Sequence, residues 1–158
     1  MRDPDAANWI TFLTRLAGRT GRFYAGDPSG STPRGTATGT PLIAGAGQSG
    51  KALLTDGWTA GISPILRAGD YIAWNTPLSW RELHKVTADA NSDGSGAVAL
   101  SITPPIRESP ANDATLIVSG ATCVMMLATE EDGMWDVDEA GLYEMTFSAE
   151  EAVSVSVE

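Results

Sequence analysis

The sequence predicts a mainly β fold of the α+β kind with one N-terminal helix, and three observations predict it. Glycine and proline are frequent, at 17 and 9 of 158 residues, while charged residues make up only 19%; that balance suits a turn-rich sheet protein. Short apolar or alternating segments recur roughly every eight to fifteen residues along most of the chain, the spacing of a sandwich or barrel-like sheet. Only residues 4–17 carry apolar side chains at helical spacing. A chain of 16.5 kDa is long enough for a real core, so residues 1–158 are expected to form a single domain.

The elements follow in order. Asp3 can cap the helix and Pro4 fits its first turn. Trp9, Ile10, Leu13, Leu16 and Ala17 share a face, Arg15 and Arg19 lie off it, and Gly18 and Gly21 stop the helix. Residues 18–61 are expected to hold glycine- and proline-rich loops with short strands, and residues 62–158 the β-rich part. Ile62 to Leu66 reads as a strand, Arg67 to Asp70 as a turn, Tyr71 to Trp74 as the next strand and Asn75 to Ser79 as a loop. Arg81 to Ala88 alternates, with Leu83 and Val86 out of simple phase, and Asp89 to Gly96 is a hairpin loop. Val98, Leu100 and Ile102 line one face of a strand that Pro104-Pro105 ends. Ala114 to Val118, Ala121 to Ala128, Leu142 to Phe147 and the alternating Val153, Val155 and Val157 complete the set. No apolar run approaches the length of a membrane span, and the first residues, Met1 to Asp5, lack the apolar core of a signal peptide.

Two nucleotide-binding patterns occur in the glycine-dense stretch Pro33 to Trp58. Gly45-Ala46-Gly47-Gln48-Ser49-Gly50 matches GxGxxG, and Gly45 to Lys51 matches GxxxxGK. A P-loop needs a buried strand before it, a helix after it and a hydroxyl following the lysine to hold Mg²⁺. Here Ala52 follows Lys51, and Ala52 to Thr55 runs at once into Asp56-Gly57, a turn signal that leaves about one helical turn. The dinucleotide pattern also wants an acid about twenty residues on, at the end of a second parallel strand; Asp70 stands at that distance but opens a strand after Ala68-Gly69. The glycines are therefore read as serving turns and close backbone approach, and Lys51 as a surface or interface charge.

Other constellations read as structural. Asp89-Ala90-Asn91-Ser92-Asp93-Gly94 copies the first half of a calcium loop, but the twelfth position is Leu100 instead of a bidentate Glu. His84 is the single histidine and has no GxSxG elbow beside it, so it reads as a structural residue. Cys123, the single cysteine, sits in an apolar run and reads as a small buried hydrophobe. Glu130, Glu131, Asp132, Asp136, Asp138 and Glu139 could pair as glycosidase carboxylates, but Glu130 to Asp132 are consecutive before Gly133 and read as an exposed turn. Five tryptophans, at 9, 58, 74, 80 and 135, read as core or interface anchors before sugar platforms. No residue is therefore assigned a catalytic, cofactor-binding or metal role, and no cofactor is expected.

The net charge of −10 is unevenly placed. Residues 1–128 hold ten acids and ten bases, and residues 129–158 hold ten acids and no base. That excludes a general nucleic-acid-binding surface. It leaves a solvated acidic face, or one that meets a basic partner or a passage for DNA.

Taken in order, several segments resemble the distal tail proteins of long-tailed bacteriophages, in the branch shared with gene-transfer-agent-like tails. They are Trp9-Ile10-Thr11-Phe12-Leu13, Gly21-Arg22-Phe23, Gly26-Asp27-Pro28, Pro33-Arg34-Gly35, Gly39-Thr40-Pro41-Leu42, the glycine loop, Thr55-Asp56-Gly57-Trp58 and Leu66 to Tyr71. Leu83-His84-Lys85-Val86, Asp89, Gly94, Ile102 to Arg107 and Tyr143 to Phe147 follow. The resemblance implies a tail-tube-like β-sandwich or barrel and a non-enzymatic role in the virion. It implies a hexameric homo-oligomeric ring at the tail tip that joins the tail tube protein to the baseplate hub protein and serves as a platform for fibres. DNA would pass through the lumen without specific binding, along a negative wall that does not retain it. Such proteins usually carry several dozen residues before the Trp9 region, so a neighbouring chain supplies those strands or the start lies elsewhere. The Trp74 to Arg81 loop is longer than the family's and reads as a contact loop. A baseplate module that binds a host glycan through Trp74, Trp80 or Trp135 is the alternative, and a P-loop nucleotide-binding protein the third reading.

Overall fold

β-Sheet dominates the chain, as expected. The structure, a computed structural model, describes residues 3–77, 80–138 and 142–152. Its elements are α1 (Asp3–Leu16), β1 (Phe23–Ala25), β2 (Gly39–Ile43), β3 (Gly50–Trp58), β4 (Tyr71–Asn75), β5 (Arg81–Val86), β6 (Val98–Ile106), β7 (Cys123–Leu127), β8 (Trp135–Val137), β9 (Tyr143–Met145) and β10 (Ala149–Glu151). The strand expected at Val153, Val155 and Val157 lies outside the described residues, as do Leu78 and Ser79 of the loop before β5. No helix among the described residues is long and apolar enough to cross a membrane. The chain forms two compact units, one of Met1–Tyr24 with Val124–Glu158 and one of Ala25–Cys123.

The Ala25–Cys123 unit is built on a curled antiparallel sheet in the order β2-β3-β6-β5-β4. Its core gathers Ile43, Leu53, Trp58, Ile72, Trp74, Val86 and the inward face of β6, where Val98, Leu100 and Ile102 alternate with exposed neighbours as the sequence predicts. Residues 114–118, expected to be a strand, instead form isolated bridges to the two edge strands, Thr115 to Leu42 on β2 and Ile117 to Ala73 on β4. Ile43 N–H donates to the Ala114 carbonyl, and Ala73 and Ile117 exchange backbone bonds of 2.9 and 2.7 Å. One short segment thereby covers both open edges of the curl and satisfies groups that would otherwise template another chain.

Three expectations in this unit are corrected. Asp56-Gly57 is not a turn: β3 runs through it for nine residues. Gly57 takes φ 73° inside the strand, where the β2–β3 register shifts between Gly39 and Leu42. A Cβ at Gly57 would also collide with the Thr40 carbonyl oxygen. Gly57→Ala is expected to cost about 2 kcal/mol or more, from left-handed strain plus that collision, read as a fall in the denaturant midpoint. Pro104-Pro105 does not end β6, which continues to Ile106; the prolines sit where the β3–β6 register shifts between Gly50 and Ala52, so the ladder needs no donor from them. Ile62 to Leu66 is a turn-rich segment with only a bridge from Leu66 to Ala90.

The other unit packs α1 with the sheet β1-β7-β10 and the ribbon β8-β9. Leu13, Leu16 and Leu127 form its centre, with Phe12, Phe23, Met145 and Phe147 against them. The helix buries Ala6, Leu13 and Leu16, but Trp9 stays 43% exposed; it meets Phe12 edge to face and Phe147 at a tilt, with ring centroids 5.8 and 6.0 Å away. The buried stripe is thus narrower than the sequence suggests. Gly21 N–H donates to the Leu16 carbonyl at 2.7 Å and closes the helix end. Arg19 then ties the following turn to the sheet, donating to the Ala128 carbonyl and pairing with Glu150 at 2.6 Å.

Candidate functional site

The glycine loop joins two antiparallel neighbours, β2 and β3. Lys51 and the residues after it lie in the nine-residue strand β3, where a phosphate-binding loop would need a helix N-terminus. Gln48 folds back to organise the loop. The two protons of its Nε2 are shared among the carbonyls of Ala44, Gly45 and Leu54, each 3.0–3.1 Å away, and its Oε1 accepts from Leu54 N–H at 2.6 Å. One side-chain amide therefore satisfies the backbone of a hairpin end, and Lys51 stands exposed beside it.

Asp70, the candidate acid of the dinucleotide pattern, is 3% exposed and is a structural clamp. Oδ1 accepts from Arg34 N–H at 3.0 Å and Arg34 Nε at 3.2 Å; Oδ2 accepts from Gly35 N–H at 3.2 Å and Arg67 N–H at 2.8 Å. Arg34 also reaches the Ala68 carbonyl. Burial alone would raise the Asp70 carboxyl, but the N–H donors of Arg67, Arg34 and Gly35 and the Arg34 side chain outweigh it and hold the group below its ordinary value. Gly35 is required by the same junction, because a Cβ there would strike the Ile65 carbonyl.

A second buried cluster lies on β5. Glu82 and His84 are two residues apart and point inward with Val86, while Lys85 is exposed. His84 Nε2 lies 3.1 Å from Glu82 Oε2 and Nδ1 lies 2.8 Å from the Pro104 carbonyl oxygen. Both contacts are hydrogen bonds only when each ring nitrogen carries a proton. The ring stacks on Trp74, centroids 4.3 Å apart and planes within 5°, and the buried Trp74 indole nitrogen has no hydrogen-bond partner among the described residues. Glu82 also accepts from Arg107 N–H at 3.2 Å and Glu108 N–H at 2.8 Å. Burial pushes its carboxyl up; the hydrogen bonds from His84, Glu108 and Arg107, with the Arg107 charge, pull it below the ordinary value. His84 is buried against these partners, and sequence reasoning missed Glu82. The available signal was its i, i+2 spacing to His84 on a strand, which puts both on one face.

The remaining candidates are dispersed. In the calcium-like loop, Asp89 accepts from Ala68 N–H, Asn91 from the Ser63 hydroxyl, and Asp93 from Ser95 and Ala97. Each side chain is turned to a different donor, and among the described residues no group of three or more His, Cys, Asp or Glu could hold a metal ion. Cys123 is buried. Glu130, Glu131 and Asp132 lie on an exposed turn, where Asp132 accepts from Thr129 and Ser148 N–H. Glu139 lies outside the described residues. Trp58 and Trp74 are core residues, while Trp135 is 44% exposed and Trp80 is half-buried. A scan against protein-family models finds no match, and a search of curated proteins finds no relative.

Proposed function

We propose that this chain is a structural protein of a phage tail tip, assembling into a ring that connects the tail tube to the baseplate hub. One observation carries the reading: the segments that bear the resemblance are bonded or packed against one another. Asp70 of the Leu66–Tyr71 segment holds Arg34 and Gly35. Gly39 and Leu42 pair with Trp58 and Asp56. Val86 and His84 meet Ile102 and Pro104. In the other unit Trp9 and Phe12 meet Phe147 and Phe23. A pattern spread over most of the chain therefore describes one framework in each unit, as a fold-level likeness requires. The curled, edge-covered sheet suits a tail-tube-like β core, and the acids after residue 128 suit a wall that DNA passes without sticking.

The test is the assembly state of the purified protein by native mass spectrometry and negative-stain microscopy. A closed ring, expected with six copies, supports the reading; a monomer at all concentrations, also absent from purified tails, overturns it. The second reading, a glycan-binding baseplate module, is favoured by the exposure of Trp135. Trp74 drops out of it, being fully buried. A fluorescence change on titration with host polysaccharide that Trp135→Phe abolishes would select it.

A further inference from the structure

The β8-β9 ribbon has two unlike faces. Trp135 pairs with Met145, Val137 with Tyr143, and Asp136 with Glu144. Side chains directly opposite share a face, and faces alternate along a strand. One face is therefore apolar, anchored at its Met145 corner on the Leu13, Leu16 and Leu127 cluster. The rest of it is open: Trp135 is 44% exposed and Val137 45%, whereas the exposed Met134 and Leu142 are in phase with Asp136 and Glu144 and flank the other face. The other face sets two carboxylates directly across from each other. Such a pair is destabilising unless a cation meets it, and residues 129–158 contain no Lys or Arg. Among the described residues, no ion pair reaches Asp136 or Glu144. An open cleft of ≈ 340 Å³ lies along these carboxylates and Leu142. Among the described residues, each strand of the two-stranded ribbon also has one edge without a strand neighbour.

We infer that this ribbon docks an extended cationic segment of another protein, added along a ribbon edge with lysine or arginine over the Asp136–Glu144 face and apolar side chains over Trp135 and Val137. The alternation selects the occupant. An added strand repeats every two residues, so a sequence alternating basic and apolar residues matches both faces at once. Charge argues against a second copy of this chain, which would bring another −10 to an acidic surface. The tail-tip reading is not needed for this docking.

The test uses the full chain and two eight-residue peptides of lysine and valine, one alternating and one with the same residues in two blocks. The alternating peptide is expected to bind saturably at low salt, to change a fluorescence signal that Trp135→Phe removes, and to protect amides of β8 or β9 from hydrogen exchange. Binding should weaken about tenfold or more in the Asp136→Asn, Glu144→Gln double variant and fall with added salt. The double variant relieves a like-charge pair, so its thermal unfolding temperature should not drop. Equal binding of the block peptide, or undiminished binding by the double variant, overturns the inference. A concentration-dependent mass increase in light scattering that Val137→Lys abolishes would also overturn it and name a second copy as the occupant.

Discussion

Asp70→Ala is expected to be among the most destabilising single changes in the chain, lowering the unfolding free energy by about 3–5 kcal/mol. The carboxylate is buried, and it alone receives the backbone N–H groups of Arg34, Gly35 and Arg67. Alanine leaves those donors without an acceptor inside the fold, where each loses a bond it would have made to water. It also removes the partner of Arg34 Nε, though that side chain is 60% exposed and contributes the smaller part. Asp70→Asn keeps the shape and one acceptor oxygen, so it should recover part of the loss. Urea unfolding of the three proteins, with unchanged m, measures both; an Asp70→Ala loss below about 1 kcal/mol would show that water replaces the carboxylate.

The second large effect is at Glu82. Glu82→Ala removes the acceptor shared by His84, Arg107 N–H and Glu108 N–H and is expected to cost about 3 kcal/mol or more. The pH dependence follows the same geometry. Asp70 and Glu82 both titrate below their ordinary 3.8 and 4.5 in the folded protein. The unfolded chain therefore takes up protons first as the pH falls. Stability from these two groups is complete above the unfolded values and is lost progressively as the pH drops through the lower folded ones. The contribution of these two carboxylates to the thermal unfolding temperature should be constant above about pH 5 and fall steeply below about pH 4. The fall should be shallower in Asp70→Asn, which carries one fewer titrating clamp. An equally steep fall in that variant would place the acid sensitivity elsewhere.

What the sequence shows depends on whether a residue's chemistry agrees with its position. β6 was legible because Val98, Leu100 and Ile102 are apolar and buried. β5 was legible as an alternating segment, but its inward face was not, because the inward positions are Glu82 and His84, whose burial is made tolerable by partners on β6 and just beyond it. Alternation in hydropathy is silent about such a face. β3 was cut short because Asp-Gly is a turn signal in most contexts, and only the facing Thr40 carbonyl and the register shift make it part of a strand. Asp70 was noticed for its distance from the glycine loop, yet its partner Arg34 lies 36 residues away, a separation with no local pattern. The docking ribbon was half legible: Leu142 to Phe147 read as a strand, but three-residue β8, exposed throughout, gives no burial signal of its own.

The division of the chain into two units also sets an order of events during synthesis. The Ala25–Cys123 unit is continuous in sequence, so all its strands have emerged from the ribosome before the first residue of the returning segment. α1 is different: Leu127, Met145 and Phe147, against which it packs, are translated more than a hundred residues after Leu16. The helix must therefore wait, with its apolar stripe uncovered, while the intervening sheet completes itself. Arg15, Arg19 and Arg22 set three positive charges on and just after that waiting helix. Folding of these residues thus closes from the middle outward, and α1 is among the last of the described elements to find its place.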